Sequence, residues 1–220
     1  TLMLSGEKTD GLKTYTGHAN NLFGDSCQPK KSGNYYLSRV TKYSDAGKLL
    51  DDKNYLVLRS IGSPENLPLQ SKPGIFGWNK IDQGSALLIN QLPEFLQSFG
   101  AENQPQSLLD LGCGYGFLAC AAAQEGLTKI TATDNNAAAL KACKANFAAL
   151  KVDGTVIAGD AGSQLEEHFD AIICNPPFHQ GFNIDGELTA KFLTASKRLL
   201  APRGRALFVV NNFIALEKKA

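Results

Sequence analysis

Four consecutive residues have the types and the order that amine chemistry needs. Asn175, Pro176, Pro177 and Phe178 follow a short apolar run. The two prolines fix the backbone and carry no N–H group, so this segment offers hydrogen-bond acceptors rather than backbone donors. Oxygens of Asn175 and Pro176 could hold both N–H bonds of an exocyclic amine while Phe178 stacks on the planar group that carries it. We predict that all four are catalytic; a proline-rich turn after a buried strand is the alternative.

A glycine-rich loop after an earlier apolar run predicts a ligand site. It begins Asp-Leu-Gly-Cys-Gly-Tyr-Gly at Asp110. Glycines let a ligand approach the main chain closely, but a dinucleotide loop would need glycine at position 117, which is phenylalanine. A carboxylate before the glycines favours a ligand with an ammonium group over one with phosphates. We predict that Asp110, Gly112, Cys113 and Gly114 bind S-adenosylmethionine, which carries an ammonium and a sulfonium. An ordinary strand–helix turn is the alternative.

Two aspartates further along the chain extend this ligand site. Asp134 ends an apolar run about 20 residues after the glycines, where an acidic side chain can accept from both hydroxyls of a ribose. Asp160 ends a later run and could accept from an adenine amino group. We predict that these aspartates, their neighbours Asn135 and Ala161, and also Asn175 contact the cofactor. A helix cap or turn is the alternative for either aspartate.

Alternating strands and helices must position these residues. Strands and helices in alternation predict an α/β fold with a doubly wound, mostly parallel, Rossmann-like sheet. Such sheets bind ligands at the carboxyl ends of their strands, which is where the candidate residues fall. The predicted strands are Ser107–Leu111, Lys129–Thr133, Thr155–Ala158, Phe169–Cys174 and Ala206–Val210, and the predicted helices are Phe117–Gln124, Ala137–Leu150 and Leu188–Leu200.

Residues 1–72 lack this regularity. Glycines interrupt residues 6–33, which are interpreted as turn-rich, and only Asn34–Val40 and Tyr55–Ser60 are predicted as short strands. The segment has no clear core of its own, so it is interpreted as the end of something larger or as an extension packed on the second part. The catalytic domain is expected at residues 73–220.

The composition sets few limits on function. The chain has 220 residues and a formal net charge of +1, so the basic field typical of nucleic-acid proteins is weak. Its five cysteines include no C-x2-C pair, which predicts free thiols, a reducing cytoplasmic location and no metal site. The sequence contains no apolar stretch of about 18 residues or more, so no membrane span is predicted. We expect a monomer without membrane contact.

Together the motifs resemble those of class I S-adenosylmethionine-dependent methyltransferases. The closer resemblance is to bacterial guanine-N2 methyltransferases of ribosomal RNA. It covers about residues 73–214, through Gly-Ile-Phe-Gly-Trp-Asn-Lys-Ile-Asp-Gln-Gly-Ser at 74–85, Leu-Asp-Leu-Gly-Cys-Gly-Tyr-Gly at 109–116, Cys-Asn-Pro-Pro-Phe-His-Gln at 174–180 and Val-Val-Asn-Asn at 209–212. The resemblance implies methylation of a guanine N2 amine, with 16S ribosomal RNA or the small ribosomal subunit as partner. It also implies that Phe76, Asp82, Gly84 and Ser85 line the methionine end of the cofactor.

The chain departs from that family at both ends. Residues 6–24 look like the end of the degenerate amino-terminal methyltransferase-like domain that such proteins carry. Residues 1–72 are therefore interpreted as a remnant of that domain plus a linker. The chain stops ten residues after the fifth predicted strand, so a helix and the C-terminal strands of the class I fold are expected to be missing from residues 73–220.

Other acceptors and another class of protein remain open. Asn-Pro-Pro followed by phenylalanine or tyrosine also resembles adenine-N6 DNA methyltransferases and glutamine-N5 methyltransferases of release factors, although those usually carry tyrosine. A non-catalytic module that binds the cofactor or RNA is the alternative from another class, and the intact loop at residues 175–178 argues against it. A nicotinamide dehydrogenase is excluded by the glycine spacing.

Overall fold

The structure, a computed structural model, describes residues 1–44, 54–62, 67–176, 179–180, 183–184 and 186–210. The chain divides into two compact units, Thr1–Asn54 and Tyr55–Ala220. The boundary expected from the sequence, at residue 72, lies later than this division, so the segment that begins at Tyr55 belongs to the larger unit. The interpretation of the first part as a domain remnant with a linker stays a prediction.

The smaller unit is a three-stranded sheet with one helix. Its elements are β1 (Leu2–Glu7), α1 (Leu12–Phe23), β2 (Lys30–Ser32) and β3 (Tyr35–Val40). The strands are antiparallel, and β3 lies between β1 and β2. Helix α1 packs on this sheet, where the Thr16 and Ser38 hydroxyls form a buried hydrogen bond of 2.7 Å. The strand predicted at Asn34–Val40 is confirmed within one residue.

Helix α1 corrects the sequence-based interpretation of residues 6–33. The glycines there were interpreted as turn residues, but Gly11 and Gly24 instead bound the helix, with φ of 75° and 69°. Glycine adopts this left-handed conformation without a Cβ clash, which is why it often ends helices. The turn-rich interpretation of this helical stretch was therefore wrong, because these two glycines mark where a helix begins and ends.

The larger unit is built on a five-stranded parallel sheet. Its strands lie in the order β12, β9, β6, β7, β8, and every neighbouring pair is parallel. The prediction of a doubly wound parallel sheet is confirmed. The elements are β4 (Arg59–Ser60), β5 (Gln70–Ser71), α2 (Gln83–Gln97), β6 (Ser107–Leu111), α3 (Phe117–Gln124), β7 (Lys129–Asp134), α4 (Ala137–Leu150), β8 (Gly154–Ala158), β9 (Phe169–Cys174), β10 (His179–Gln180), β11 (Asn183–Ile184), α5 (Gly186–Leu199) and β12 (Leu200–Phe208).

Helices cover both faces of this sheet. Successive side chains of a strand point to opposite faces. In β6, Leu108 joins the core formed with α2, α3 and α4, whereas Leu109 joins the core formed with α5. In β9, Ile173 and Ile172 divide between the two cores in the same way. All four are fully buried, which explains why these strands are continuous apolar runs in the sequence.

The strand order also determines where a ligand would bind. From β6 the chain proceeds outward to β7 and β8 on one side, and then returns to β9 and β12 on the other side. The order therefore reverses between β6 and β9, and open α/β sheets bind ligands at the carboxyl ends of strands beside such a reversal. The expected C-terminal strands concern residues after 210, which lie outside the described residues.

The strand predicted at Tyr55–Ser60 is only partly formed. Arg59 and Ser60 pair with Ser71 and Gln70 as the short ladder β4–β5. Leu56, in contrast, lies in a turn and is 73% exposed. Its aromatic and branched neighbours favour a strand, but strand preference reflects packing against neighbouring strands, and here the pairing begins only at Arg59.

A substitution at the start of α3 tests how tightly the glycine loop packs. A Cβ at Gly116 would lie 2.6 Å from Sγ of Cys143, and the residue has φ of +85°. We expect Gly116→Ala to lower the free energy of unfolding by roughly 3 kcal/mol, because left-handed strain and core crowding add. Denaturant unfolding of the purified chain measures this change.

Gly126→Ala is the matched control for crowding. Gly126 also has a positive φ, +92°, but a Cβ there would meet nothing within 4 Å. We expect this variant to lose only about 1–2 kcal/mol, the cost of the backbone conformation. Equal losses for the two variants would show that the contact with Cys143 does not matter.

Candidate active site

A cavity of about 560 Å³ opens where β6, β7 and β9 end. Its volume is in the range of small-molecule sites. Almost every candidate residue from the sequence that the structure describes lies in its wall. These wall residues are Phe76, Asp82, Gly84, Ser85, Gly112, Cys113, Gly114, Asp134, Asn135, Asp160, Ala161, Asn175 and Pro176. Pro177 and Phe178 lie outside the described residues.

Asp110 is the described candidate that the structure does not place in this wall. Its side chain is fully buried, and its Oδ2 accepts a hydrogen bond of 3.0 Å from the N–H of Ala119 in α3. Its Oδ1 has no partner among the described residues. Burial raises the pKa of Asp110 to about 7, partly offset by the Ala119 hydrogen bond. A direct contact of Asp110 with a cofactor stays a prediction.

The glycine loop is held by the end of β7. The N–H groups of Gly112 and Cys113 both donate to the carbonyl oxygen of Thr133, each at 2.9 Å. The N–H of Gly114 donates to Oδ2 of Asp134, also at 2.9 Å. Gly114 has φ of +53°, and a Cβ there would enter open space. Main-chain atoms of the loop are therefore accessible from the cavity.

Asp134 does not cap helix α4. The cap is Asn136, whose Oδ1 accepts from the N–H of Ala138 at 2.9 Å. Asp134 precedes it and accepts from the N–H of Asn136 with its second oxygen, at 2.8 Å. The Asn136 amide also donates to the carbonyl oxygen of Gly74, which ties the segment before α2 to this loop. Asp134 is thus not the helix cap, but its bond to the N–H two residues on is that of an Asx turn, so the turn alternative describes part of its role.

Asn175 is held by two residues from the start of α2. Its Nδ2 donates to Oδ2 of Asp82 at 2.7 Å and to Oγ of Ser85 at 2.8 Å. Asp82 is the N-cap of α2, and the same Oδ2 accepts from the N–H of Ser85 at 2.9 Å. Asn175 is 93 residues from Asp82 and 90 residues from Ser85 in the sequence, so only the tertiary fold brings it to them.

Asp160 has a partner that the sequence did not predict. Its carboxylate forms an ion pair with the ammonium group of Lys191 in α5, and both side chains are about half exposed. The next residue, Ala161, is buried and has φ of 48°, a left-handed conformation that is uncommon outside glycine. Because Lys191 already pairs with the Asp160 carboxylate, an adenine amino group bound there would either share the carboxylate with Lys191 or displace the lysine.

The charge of the wall favours a cationic ligand. Its charged side chains are Asp82, Asp134 and Asp160, and no described wall residue is basic. The contact with Cys143 is the main cause, and burial the second, of a pKa of the Cys113 thiol well above its usual value, so Cys113 is neutral. Burial raises the pKa of Tyr115 to about 12. The wall therefore combines carboxylates with neutral side chains, and attracts positive charge.

Several wall residues were not found from the sequence. Phe192 and Leu188 of α5 and Val209 after β12 add apolar surface, and a Cβ at Gly112 would lie 3.1 Å from the Phe192 ring. From the sequence they were predicted only as parts of a helix and a strand. Asn136 is the exception with a detectable signal, since Asn before an alanine-rich helix is typical of an N-cap.

Metal ligation and membrane insertion find no support in the described part of the chain. No group of three or more His, Cys, Asp or Glu side chains there could hold a metal ion. Among the same residues, no helix is long and apolar enough to cross a membrane.

The parallel sheet, its helices on both faces and the cavity at its switch point define a class I methyltransferase fold. The chain belongs to the methyltransferase small domain family, whose model matches residues 66–219.

Two relatives and one solved structure illustrate the similarity. Ribosomal RNA small subunit methyltransferase C of Marinomonas sp. (strain MWYL1) is 35% identical over 152 residues, covering 68% of this chain and 42% of that protein. The protein of the same name from Shewanella amazonensis is 28% identical over 217 residues, covering 97% of this chain and 60% of that protein. The T. thermophilus 16S rRNA N2 G1207 methyltransferase, solved with AdoMet and guanosine, has a TM-score of 0.82 at 26% identity, covering 99% of this chain and 58% of that one. The chain thus spans less than two thirds of the length of these proteins.

Proposed function

We propose that the chain binds S-adenosylmethionine and methylates the exocyclic N2 amine of a guanine in ribosomal RNA, with 16S RNA as the target. The observation that carries the proposal is the position of Asn175 at the edge of an acidic cavity beside a glycine loop. The partner is ribosomal RNA or the small subunit, and the place of action is the cytoplasm.

The residues of the cavity fit this cofactor. S-adenosylmethionine supplies an activated methyl group on a positively charged sulfur. Asp134, fixed by two backbone N–H groups, would accept from the ribose hydroxyls, and Asp160 and Ala161, in the same wall, would contact the adenine. Gly114 leaves room beside the main chain, and Asp82 adds a further carboxylate to the wall. The exposed ring of Phe76 offers a further apolar contact.

Asn175 and Pro176 would bind the amine that accepts the methyl group. A guanine N2 amine is a poor nucleophile because its lone pair is delocalised into the ring. Acceptors on its two N–H bonds would fix its orientation and turn the lone pair toward the methyl group, so the rate gain comes from positioning. The guanosine bound to the T. thermophilus enzyme supports a guanine as the acceptor.

Titration with S-adenosylmethionine by calorimetry tests the cofactor site. We expect Asp134→Ala to weaken binding by about 10- to 100-fold, because hydrogen bonds to a charged group contribute about 1.5–3 kcal/mol and the glycine loop loses an anchor. Asp153→Ala, at an exposed aspartate outside the cavity, is the control and should bind like the parent chain. Equal affinity of Asp134→Ala and the parent chain would contradict the site.

The acceptor is identified by the product. Incubation with labelled S-adenosylmethionine and 16S RNA, followed by nucleoside analysis, should give N2-methylguanosine. N6-methyladenosine, or label on a protein glutamine, would show that another planar amine is the substrate. Tight cofactor binding without transfer to any of these would favour the non-catalytic module.

A further inference from the structure

We propose that Asp82 and Ser85 are positioning residues that fix the orientation of the Asn175 amide, so that its oxygen faces the substrate amine. This inference rests on the proposed function and extends it to residues that the resemblance assigned only to the cofactor. The three side chains, Asp82, Ser85 and Asn175, are called the amide clamp below.

The clamp uses the donor end of the amide completely. An asparagine amide carries two hydrogens on Nδ2 and only acceptor capacity on Oδ1. Nδ2 of Asn175 donates one hydrogen to Asp82 Oδ2, at 2.7 Å, and the other to Ser85 Oγ, at 2.8 Å. Among the described residues no group donates to Oδ1, so the acceptor end remains available to an amine.

The clamp also prevents the opposite orientation. A rotation of the amide by 180° would bring Oδ1 against the Asp82 carboxylate, and two acceptors repel each other at hydrogen-bond distance. It would turn the Nδ2 donor toward the substrate amine, which is itself a donor. Asn175 without the clamp could adopt either orientation, and only one of them suits the reaction.

Asp82 cannot move away easily, because the same oxygen caps α2. Oδ2 accepts from the N–H of Ser85 at 2.9 Å while it accepts from Asn175. The main chain passes close by at Gly84, where a Cβ would lie 3.0 Å from Asp82 Oδ2 and 3.4 Å from Asn175 Oδ1. Glycine at this position therefore leaves space for the clamp.

Two substitutions remove the clamp by different routes. Asp82→Ser keeps a side-chain oxygen suited to the N-cap but is too short to reach Asn175. Ser85→Ala removes only the second acceptor and leaves the backbone N–H that the cap needs. We expect Asp82→Ser to lower kcat by roughly 10- to 100-fold at saturating cofactor and RNA, as expected for a misplaced reacting group. Because Asp82 and Ser85 also lie in the wall of the cavity, the dissociation constant for S-adenosylmethionine is measured separately, so that a loss of affinity is not mistaken for a loss of kcat. Ser85→Ala should show a smaller loss of kcat.

Conservative variants separate positioning from charge. Asp82→Asn keeps an oxygen that the cap holds in place, so we expect it to recover most of the activity lost in Asp82→Ser. Ser85→Thr keeps the hydroxyl and should recover most of the loss in Ser85→Ala. If Asp82→Asn is as slow as Asp82→Ser, negative charge and not the acceptor is what matters, and the proposal is overturned.

A double-mutant cycle provides the decisive test. If Asp82 acts through Asn175, Asp82→Ser should have no further effect on kcat in a chain that already carries Asn175→Ala. An equal loss in both backgrounds would overturn the clamp while leaving the proposed function intact. If Asn175→Ala alone methylates at the parent rate, the catalytic assignment and the clamp both fail. Single-turnover assays with labelled cofactor measure all four chains, and thermal unfolding verifies that each is folded.

Discussion

Asn175→Ala is expected to reduce the methylation rate at saturating substrates by at least about 100-fold, the scale expected when a reacting group is misplaced by an ångström. Asn175 directly follows the last residue of β9 and lies in the wall of the cavity, where its amide nitrogen is held by Asp82 and Ser85. Without the Asn175 side chain, the amine keeps only one of its two predicted acceptors, the carbonyl oxygen of Pro176. Cofactor affinity should fall less than tenfold, since Asp134 and the glycine loop are untouched.

The measurement is a single-turnover transfer of labelled methyl groups to 16S RNA, with affinity determined by calorimetry on the same preparation. Asn103→Ala, at an exposed asparagine in the same unit, is the matched control and should transfer at the parent rate. A rate for Asn175→Ala within threefold of the parent would remove Asn175 from the mechanism.

Asp110→Asn is expected to stabilise the chain above pH 7 and to have little effect near pH 4. Burial raises the pKa of Asp110 from 3.8 to about 7 in the folded chain. Between these values the folded state holds a proton that the unfolded state has lost, so the free energy of unfolding decreases as the pH rises through this window. At pH 8 the free energy of unfolding is lower by on the order of 4 kcal/mol than it would be with a side chain that does not titrate.

Denaturant unfolding of Asp110→Asn and the parent chain at pH 5, 6, 7 and 8 tests this prediction. The difference between the two should increase steadily with pH and level off above pH 7. Asp153→Asn, at an exposed aspartate, serves as the control and should track the parent throughout. A difference of the same size at pH 5 and pH 8 would show that Asp110 keeps its charge throughout this range.

The sequence predicted the parts of the fold that local pattern determines. Strands β6 and β9 and helices α3 and α4 have the predicted bounds, because continuous apolar runs and alanine-rich helical spacing need no tertiary information. Prediction from the sequence failed where contacts with another part of the chain determine the secondary structure. Leu56 has strand-forming neighbours without strand pairing, and α1 lies between glycines that act as caps.

The candidate site shows the same division. Motif and spacing placed Asp134 and Asn175 in one cavity, because consecutive parallel strands end at the same edge. Spacing could not show that the Asp110 carboxylate points to Ala119 in α3 instead of the cavity, since that depends on which face the side chain takes in β6. Nor could it show that Asp82 meets Asn175, a contact across 93 residues.

The hydrogen bonds that hold the glycine loop have a thermodynamic consequence for binding. Gly112, Cys113 and Gly114 already have internal acceptors at the end of β7, so this part of the cavity is preorganised and association needs no folding step there. The entropy lost by the main chain on binding is then small. We therefore expect any negative change in heat capacity on binding to come from the apolar surface that the ligand covers, and not from the ordering of a loop.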